Sequence, residues 1–260
     1  MKLALTGNRI LAGRAVQLFK RIAMNPPPLA TDAALRDQMA AVYACYRALQ
    51  PGSGLGGVFL FAGELTANSD PMLRAASIAG AASLAASADQ ENCKKALRDG
   101  AIDFLVNSLD EALRILKNEL RKRQPVAVVI SQPAAAIAAA MLERAVQPEL
   151  LFADSAASIV LTASFEQFTK LGARPLQPAV LPAGEAFHLW PLAAGWLRPA
   201  AGLEAHLTAL LPELAEQERR WLRLSPRHLG AKARRLRSLG CDGATAARLS
   251  AFFSIAPAAS

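Results

Sequence analysis

An alternation of helices and strands over residues 55–158 limits the fold of this chain more than any other sequence feature. An apolar strand at residues 58–62 is followed by a turn at 63–71 and an alanine-rich helix predicted over 73–84. An amphipathic helix containing residues 109–116 and a second apolar strand at 126–130 come next. Helices that alternate with fully apolar strands indicate an α/β domain with a parallel sheet.

The turn after the first strand is where such sheets usually bind a dinucleotide, through glycine amides and a helix N-terminus. Here Gly63 is its only glycine, and the next seven residues all carry side chains. Among them, Glu64 and Asp70 would repel phosphate. The sequence therefore predicts the fold more firmly than the ligand, and the two have to be argued separately.

Composition excludes several classes of protein. With 53% hydrophobic residues, the chain of 260 residues is not disordered. Its net charge of +8 is concentrated in residues 114–123 and 219–237, both predicted to be solvated helix faces. No disulfide framework or metal site is indicated by the spacing of Cys45, Cys93, Cys241, His188, His206 and His228.

No targeting or membrane-spanning segment is recognisable. The apolar run at the N-terminus is too short for a signal peptide, and no stretch reaches the roughly 18 apolar residues of a membrane span. We expect a cytoplasmic protein without a membrane partner. The bias toward Ala, Arg and Leu is typical of a GC-rich genome, and we expect a bacterial source.

Four segments in order resemble a known family. Residues 59–63 (FLFAG), 79–84 (AGAASL), 108–115 (SLDEALRI) and 143–150 (ERAVQPEL) are similar to the NAD-binding Rossmann-like domain of urocanase (urocanate hydratase). Their order and approximate spacing match over residues 40–160. The resemblance implies a Rossmann-like parallel sheet with flanking helices, NAD as a cofactor, and a homodimer.

The ligand positions of that family are changed in this chain. Its glycine-rich loop is replaced by residues 64–70, and its ribose-binding acid by Ser87, with Asp89 nearby as a substitute. A Gly-Asn turn is replaced by residues 132–133, and residues 152–158 keep one acid, Asp154. The active-site segments of the larger urocanase core are not recognisable, so hydratase activity is not expected.

The predicted organisation has four parts. Residues 1–50 form N-terminal helices, and 51–173 form the Rossmann-like domain. Residues 174–202 are a proline-rich irregular connector, and 203–255 are a basic helical C-terminal region. The first predicted helix, residues 1–24, has an apolar stripe made of Ile10, Leu11, Val16, Leu18, Phe19 and Ile22.

Three functions are compatible with the sequence. The first is a non-catalytic binding or interaction module whose partner is another protein or a second copy, with no cofactor expected and NAD implied by the resemblance alone. The second is a nucleotide-binding protein or enzyme with a rebuilt site, whose candidate residues are Gly63, Asn68, Ser69, Asp70, Asp89 and Asp154. The third, nucleic-acid binding through residues 219–237, is least favoured because an apolar stripe there, including Trp221, predicts packing onto the domain. No catalytic or metal-binding residue is predicted.

Overall fold

The structure is a computed structural model that describes residues 33–152, 159–192 and 214–254, together with residues 207 and 212. The predicted helix at residues 1–24, Asp154 and the last residues of the chain lie outside these ranges. No helix among the described residues is both long enough and apolar enough to cross a membrane.

A six-stranded parallel sheet forms the centre of the fold. Its strands are β1 (Phe59–Glu64), β2 (Ala82–Ala86), β3 (Phe104–Val106), β4 (Val126–Ile130), β5 (Leu150–Phe152) and β6 (Arg174–Leu176). They lie in the order β3-β4-β2-β1-β5-β6, so the order reverses between β1 and β5. Because β2 and β4 are buried along their whole length, their sequences are apolar or small throughout.

Six helices accompany the sheet, and their ends follow ordinary capping chemistry. They are α1 (Ala33–Leu49), α2 (Ser69–Ala79), α3 (Gln90–Arg98), α4 (Leu109–Lys122), α5 (Ala134–Glu143) and α6 (Ile159–Lys170). The hydroxyl of Ser108 accepts from the amide of Glu111 and so caps α4. Gly80, at a φ of 95°, ends α2 in the left-handed conformation.

The helices form one apolar core on each face of the sheet. Side chains of α4, α5 and α6 pack against one face. Side chains of α1, α2 and α3 pack against the other, together with the C-terminal part of the chain. The result is a doubly wound α/β fold of the Rossmann-like type, as the sequence predicted.

Within residues 186–192 and 214–254, the C-terminal part contains two further helices and a two-stranded antiparallel sheet. These elements are β7 (Ala186–Pro191), α7 (Glu216–His228), a 3₁₀ turn (Ala231–Arg235), β8 (Leu236–Cys241) and α8 (Gly243–Ser254). The fully buried ring of Trp221 lies 4.9 Å from that of Tyr43, and its indole N–H donates to the carbonyl of Ser238 at 2.6 Å. The basic segment is therefore packed onto α1, as its apolar stripe indicated.

Several predicted elements were wrong. The helix predicted over residues 73–84 ends at Ala79, and the following residues form β2, whose small side chains made it look helical. The segment predicted as irregular, residues 174–202, contains β6 and β7, and the region predicted as only helical contains β8. Residues 159–163, an apolar run that is compatible with either a strand or a helix, begin α6.

Pro226 lies where its local sequence does not predict it. A serine followed by a proline is typical of a helix start, but Ser225 and Pro226 both lie near the end of α7, and both are buried. The helix continues through the proline because Trp221 and Leu222, in the preceding turn, are fixed in the core. Tertiary packing here overrides a local sequence signal.

Candidate functional site

The candidate site is the turn that joins β1 to α2, at the carboxyl end of the sheet. It lies beside the point between β1 and β5 where the strand order reverses, which is where ligands bind in open α/β sheets. The register between β1 and β2 shifts between Phe61 and Glu64, and Gly63 has a φ of 66°. The chain thus keeps the sharp turn of a dinucleotide-binding fold and its leading glycine.

The backbone amides at the start of α2 are bonded within the turn itself. The hydroxyl oxygen of Thr66 lies 3.2 Å from the amides of both Asn68 and Ser69, and the carbonyl of Thr66 accepts from the amide of Asp70 at 3.1 Å. The next residue, Pro71, has no amide hydrogen. The donors that would hold a pyrophosphate at this helix N-terminus are occupied or missing.

The hydroxyl of Ser69 fixes the same turn from the other side. It donates to the carbonyl of Glu64 and accepts from the amide of Thr66, both at 2.8 Å. Ser69 is completely buried, so this hydroxyl holds the turn in place and is not available to a ligand. The sequence did not identify Thr66 as part of the site, although a threonine three residues before Ser69 is a helix-capping signal.

Two carboxylates lie where a phosphate would need positive charge. One oxygen of Glu64 is 3.4 Å from the amide of Ala134, at the start of α5. The carboxylate of Asp70 binds the guanidinium of Arg74, with the shorter contact at 2.8 Å. A phosphate about 4 Å from Glu64 would be repelled by about 4 kcal/mol at an effective dielectric constant of about 20, whereas the charge of Asp70 is offset by Arg74.

The space in front of Gly63 is filled by α6. A Cβ atom at Gly63 would lie 3.0 Å from the ring of Phe165 and 3.4 Å from the side chain of Leu161. The ring of Phe165 in turn packs edge-to-face on Phe61, with centroids 5.6 Å apart. The spacing of Leu161, Phe165 and Phe168 on α6 is the helical signal that would have predicted this filling.

The candidate residues after β2 serve the local structure. Asp89 caps α3, accepting from the amides of Glu91 and Asn92 at 3.0 and 3.1 Å. The hydroxyl of Ser87 accepts from the amide of Asp89. Thus Gly63, Asn68, Ser69 and Asp70 share one turn, while Asp89 belongs to the neighbouring strand end.

The segment expected to replace the family's Gly-Asn turn also has internal contacts. The side-chain amide of Gln132 donates to the carbonyl of Asn107, and Pro133 precedes the first residue of α5. This pairs the ends of β3 and β4 with each other.

An open groove lies on the other side of the turn. Its volume is about 1050 Å³, and α1, β5, α6 and the residues after β6 form its walls. Asn68 lines the groove, together with apolar side chains such as Phe152 and Phe165. A volume of this size is at the upper end of the range for small-molecule pockets.

Two arginines join the C-terminal part to α2. Arg220 of α7 donates to the carbonyl of Ile78 at 2.8 Å, at the C-terminal end of α2. Arg74 of α2 is buried and donates to the carbonyl of His228 at 2.7 Å, at the C-terminal end of α7. Other basic residues of the C-terminal part are exposed: Arg227, Lys232, Arg234 and Arg235.

The described residues contain no activated thiol or metal cluster. Burial raises the pKa of both Cys45 and Cys241 to about 12, and it also raises the pKa of Cys93. A thiol with a raised pKa is a poor nucleophile near neutral pH. No group of three or more His, Cys, Asp or Glu side chains in the described ranges could hold a metal ion.

The residues at the β1–α2 turn do not fit NAD. The turn presents bonded amides, a proline, two carboxylates and a phenylalanine ring where a pyrophosphate would need open backbone. A comparison with protein-family models nevertheless matches residues 39–162 to the family described as the urocanase Rossmann-like domain. The match runs from within α1 to the start of α6. Residues 39–162 are therefore similar to a urocanase Rossmann-like domain, and a C-terminal part packs onto them.

Proposed function

We propose that this protein is a non-catalytic urocanase-like module that does not bind NAD in the usual way and acts through binding or interaction. The observation that carries this proposal is the internal bonding of the amides of Asn68, Ser69 and Asp70 by Thr66. A pyrophosphate would have to break these bonds while approaching the carboxylate of Glu64. Each lost bond costs about 1 kcal/mol, before the repulsion is counted.

Isothermal calorimetry with NAD⁺ and NADH tests the proposal. We expect no binding in the micromolar range, whereas a dinucleotide-dependent dehydrogenase in the same buffer gives a normal titration. A Phe165→Ala variant tells the two obstacles to NAD apart, which are the ring that fills the space at Gly63 and the bonded amides of the turn. The variant opens the space at Gly63 but leaves the amides bonded. We expect this variant not to bind either. Micromolar binding by the unaltered protein would contradict the proposal.

Catalysis is tested separately by mixing the protein with urocanate and NAD⁺ and following the ultraviolet absorbance of urocanate. We expect no consumption above the rate without protein. The described residues around the turn include no general base beside a nucleophile, because Asp89 caps a helix and Asp70 is paired with Arg74. Enzyme-dependent turnover would refute the non-catalytic part of the proposal.

The proposed partner is another protein or a second copy of this chain, in the cytoplasm. The exposed apolar side chains of Leu97 and Phe104 support such a surface, since Phe104 belongs to the open edge strand β3 and Leu97 to the neighbouring α3. Sedimentation velocity over a range of concentrations tests self-association. We expect a dimer that a Phe104→Lys substitution weakens, and a monomer at all concentrations would leave a different protein as the proposed partner.

The groove beside Asn68 is the observation that favours a rebuilt ligand site as the second candidate function. Calorimetric titrations with nucleoside mono- and diphosphates test it. Binding that is lost in an Asn68→Ala variant, with folding unchanged, would favour a rebuilt site over the interaction module.

A further inference from the structure

The groove has walls suited to a helix. On one side, α1 presents the small side chains of Ala41 and Ala44, which allow close approach of another backbone. On the other side are the rings of Phe152 and Phe165. Ala41 is exposed among the described residues, at a position where α1 could contact a further apolar element.

Charge gives the groove no preference for an ion. Its charged side chains are Glu166 and Lys170, one helical turn apart on α6, and their charges oppose each other. Neither makes an ion pair among the described residues. Apolar contact is therefore the main interaction that the groove offers to an occupant.

The sequence before α1 has the matching pattern. Residues 1–24 carry an apolar stripe in which Leu11, Leu18 and Ile22 repeat at helical spacing. The same 24 residues contain five Lys or Arg and no Asp or Glu, so the face opposite the stripe is strongly polar. An amphipathic segment of this kind needs an apolar surface to form a stable helix.

The length of the linker and the volume of the groove are both compatible with a helix formed by residues 1–24. Residues 25–32 are an eight-residue linker that ends where α1 begins, and eight residues span at most about 26–29 Å. Ala41 and Ala44 lie only about 12–17 Å along α1 from its first residue, at 1.5 Å per residue. A helix about 11 Å across fills 1050 Å³ in about two turns, or in about four turns when half of it is embedded.

We propose that the groove between α1 and α6 is the docking site of the chain's own N-terminal segment, residues 1–24, which binds there as an amphipathic helix through its Leu11, Leu18 and Ile22 face. This inference is independent of the function proposed above. It gives the groove an occupant that is covalently attached, and therefore present at high effective concentration.

Thiol labelling of the full-length chain tests the proposal. Ala41→Cys places a reporter in the groove wall, and Gln177→Cys places a second one on the opposite rim. Lys117→Cys, on the exposed face of α4, is the control. The native thiols Cys45, Cys93 and Cys241 are buried and give little background. We expect both groove reporters to react at least tenfold more slowly than the control.

Disruption of the apolar stripe should remove this protection. In a Leu18→Asp/Ile22→Asp background we expect both groove reporters to react at the rate of the Lys117→Cys control. The charge-matched background Thr6→Asp/Gln17→Asp alters the polar face and should leave protection intact. Circular dichroism establishes that each variant is folded, and agreement of the two groove reporters guards against a local effect of either substitution.

Three results would overturn the proposal. Fast labelling of both groove reporters in the unaltered N-terminal sequence would show an open groove. Protection that persists in the Leu18→Asp/Ile22→Asp background would show another occupant, such as a small molecule. Protection that disappears on dilution, together with a dimer in sedimentation, would assign the groove to a second copy of the chain.

Discussion

Replacing Arg74 by methionine should weaken the packing of the C-terminal part on the Rossmann-like domain and lower the stability of the protein. The guanidinium is buried, binds Asp70 at 2.8 Å, and donates to the carbonyls of His228 at 2.7 Å and Asp99 at 3.3 Å. Methionine keeps much of the apolar packing but removes every donor, so three acceptors lose their partner.

The expected loss in the free energy of unfolding follows from these contacts. A hydrogen bond from a charged donor contributes about 1.5–3 kcal/mol, and removing one partner of a buried ion pair costs about 3–5 kcal/mol. The side chain of Asp70 is 27% exposed and can partly rehydrate, which places the expected loss near the lower limit, at about 3 kcal/mol. With a urea m-value of about 2–3 kcal/mol/M, the midpoint falls by about 1–1.5 M.

Urea unfolding followed by tryptophan fluorescence measures this loss, because Trp221 of α7 is fully buried against α1. Arg98→Met is the matched control, since Arg98 is exposed on α3 and should tolerate the same change within about 0.5 kcal/mol. If Arg74→Met lost less than about 1 kcal/mol, or no more than the control, the buried arginine would not be what joins α2 to α7.

Three further changes test other parts of the structure. Gly80→Ala should cost about 2–3 kcal/mol in urea unfolding, because its φ is 95° and its Cβ would displace the guanidinium of Arg220 from its hydrogen bond to Ile78. Gly100→Ala, also at positive φ but in open space, should cost only about 1 kcal/mol. Thr66→Val should cost about 1–2 kcal/mol in the same assay, and calorimetry should still detect no NAD. Burial lowers the pKa of His228 below its usual 6.5, so the unfolded chain binds more protons at this residue than the folded chain does. The free energy of unfolding should therefore fall as the pH drops below about 6.5. In urea midpoints measured between about pH 5 and 7, His228→Gln should reduce this dependence on pH.

The central sheet could be predicted because its strands have strong local signals. Residues 126–130 are an uninterrupted apolar run in which four of the five side chains are β-branched, and Ser108 followed by acidic residues marks the start of α4. In contrast, β3 has only three residues and its Phe104 is exposed, so it lacks a burial pattern. The six residues of β8 include Arg237, Ser238 and Gly240, and all are buried by partners distant in sequence.

The candidate site was predicted in part. The resemblance predicted that side chains, two of them acidic, replace the glycines of the turn. It did not reveal that Thr66 binds the exposed amides, or that Phe165, about 100 residues later, closes the space at Gly63. The first contact is local and had a capping signal. The second depends on how α6 crosses the sheet, which no local pattern specifies.

The packing of α1 against the C-terminal part has a consequence for synthesis of the chain. The hydroxyl of Tyr46 on α1 donates to the carbonyl of Gln217 on α7, 171 residues further along. At a synthesis rate of about 5–20 residues per second, Tyr46 is made roughly 9–34 s before this partner exists. Throughout that interval, Tyr43 and Tyr46 have no Trp221 to cover them. Until Trp221 has been made, these two rings are therefore an uncovered apolar surface of the nascent chain, of the kind that aggregates or is bound by chaperones.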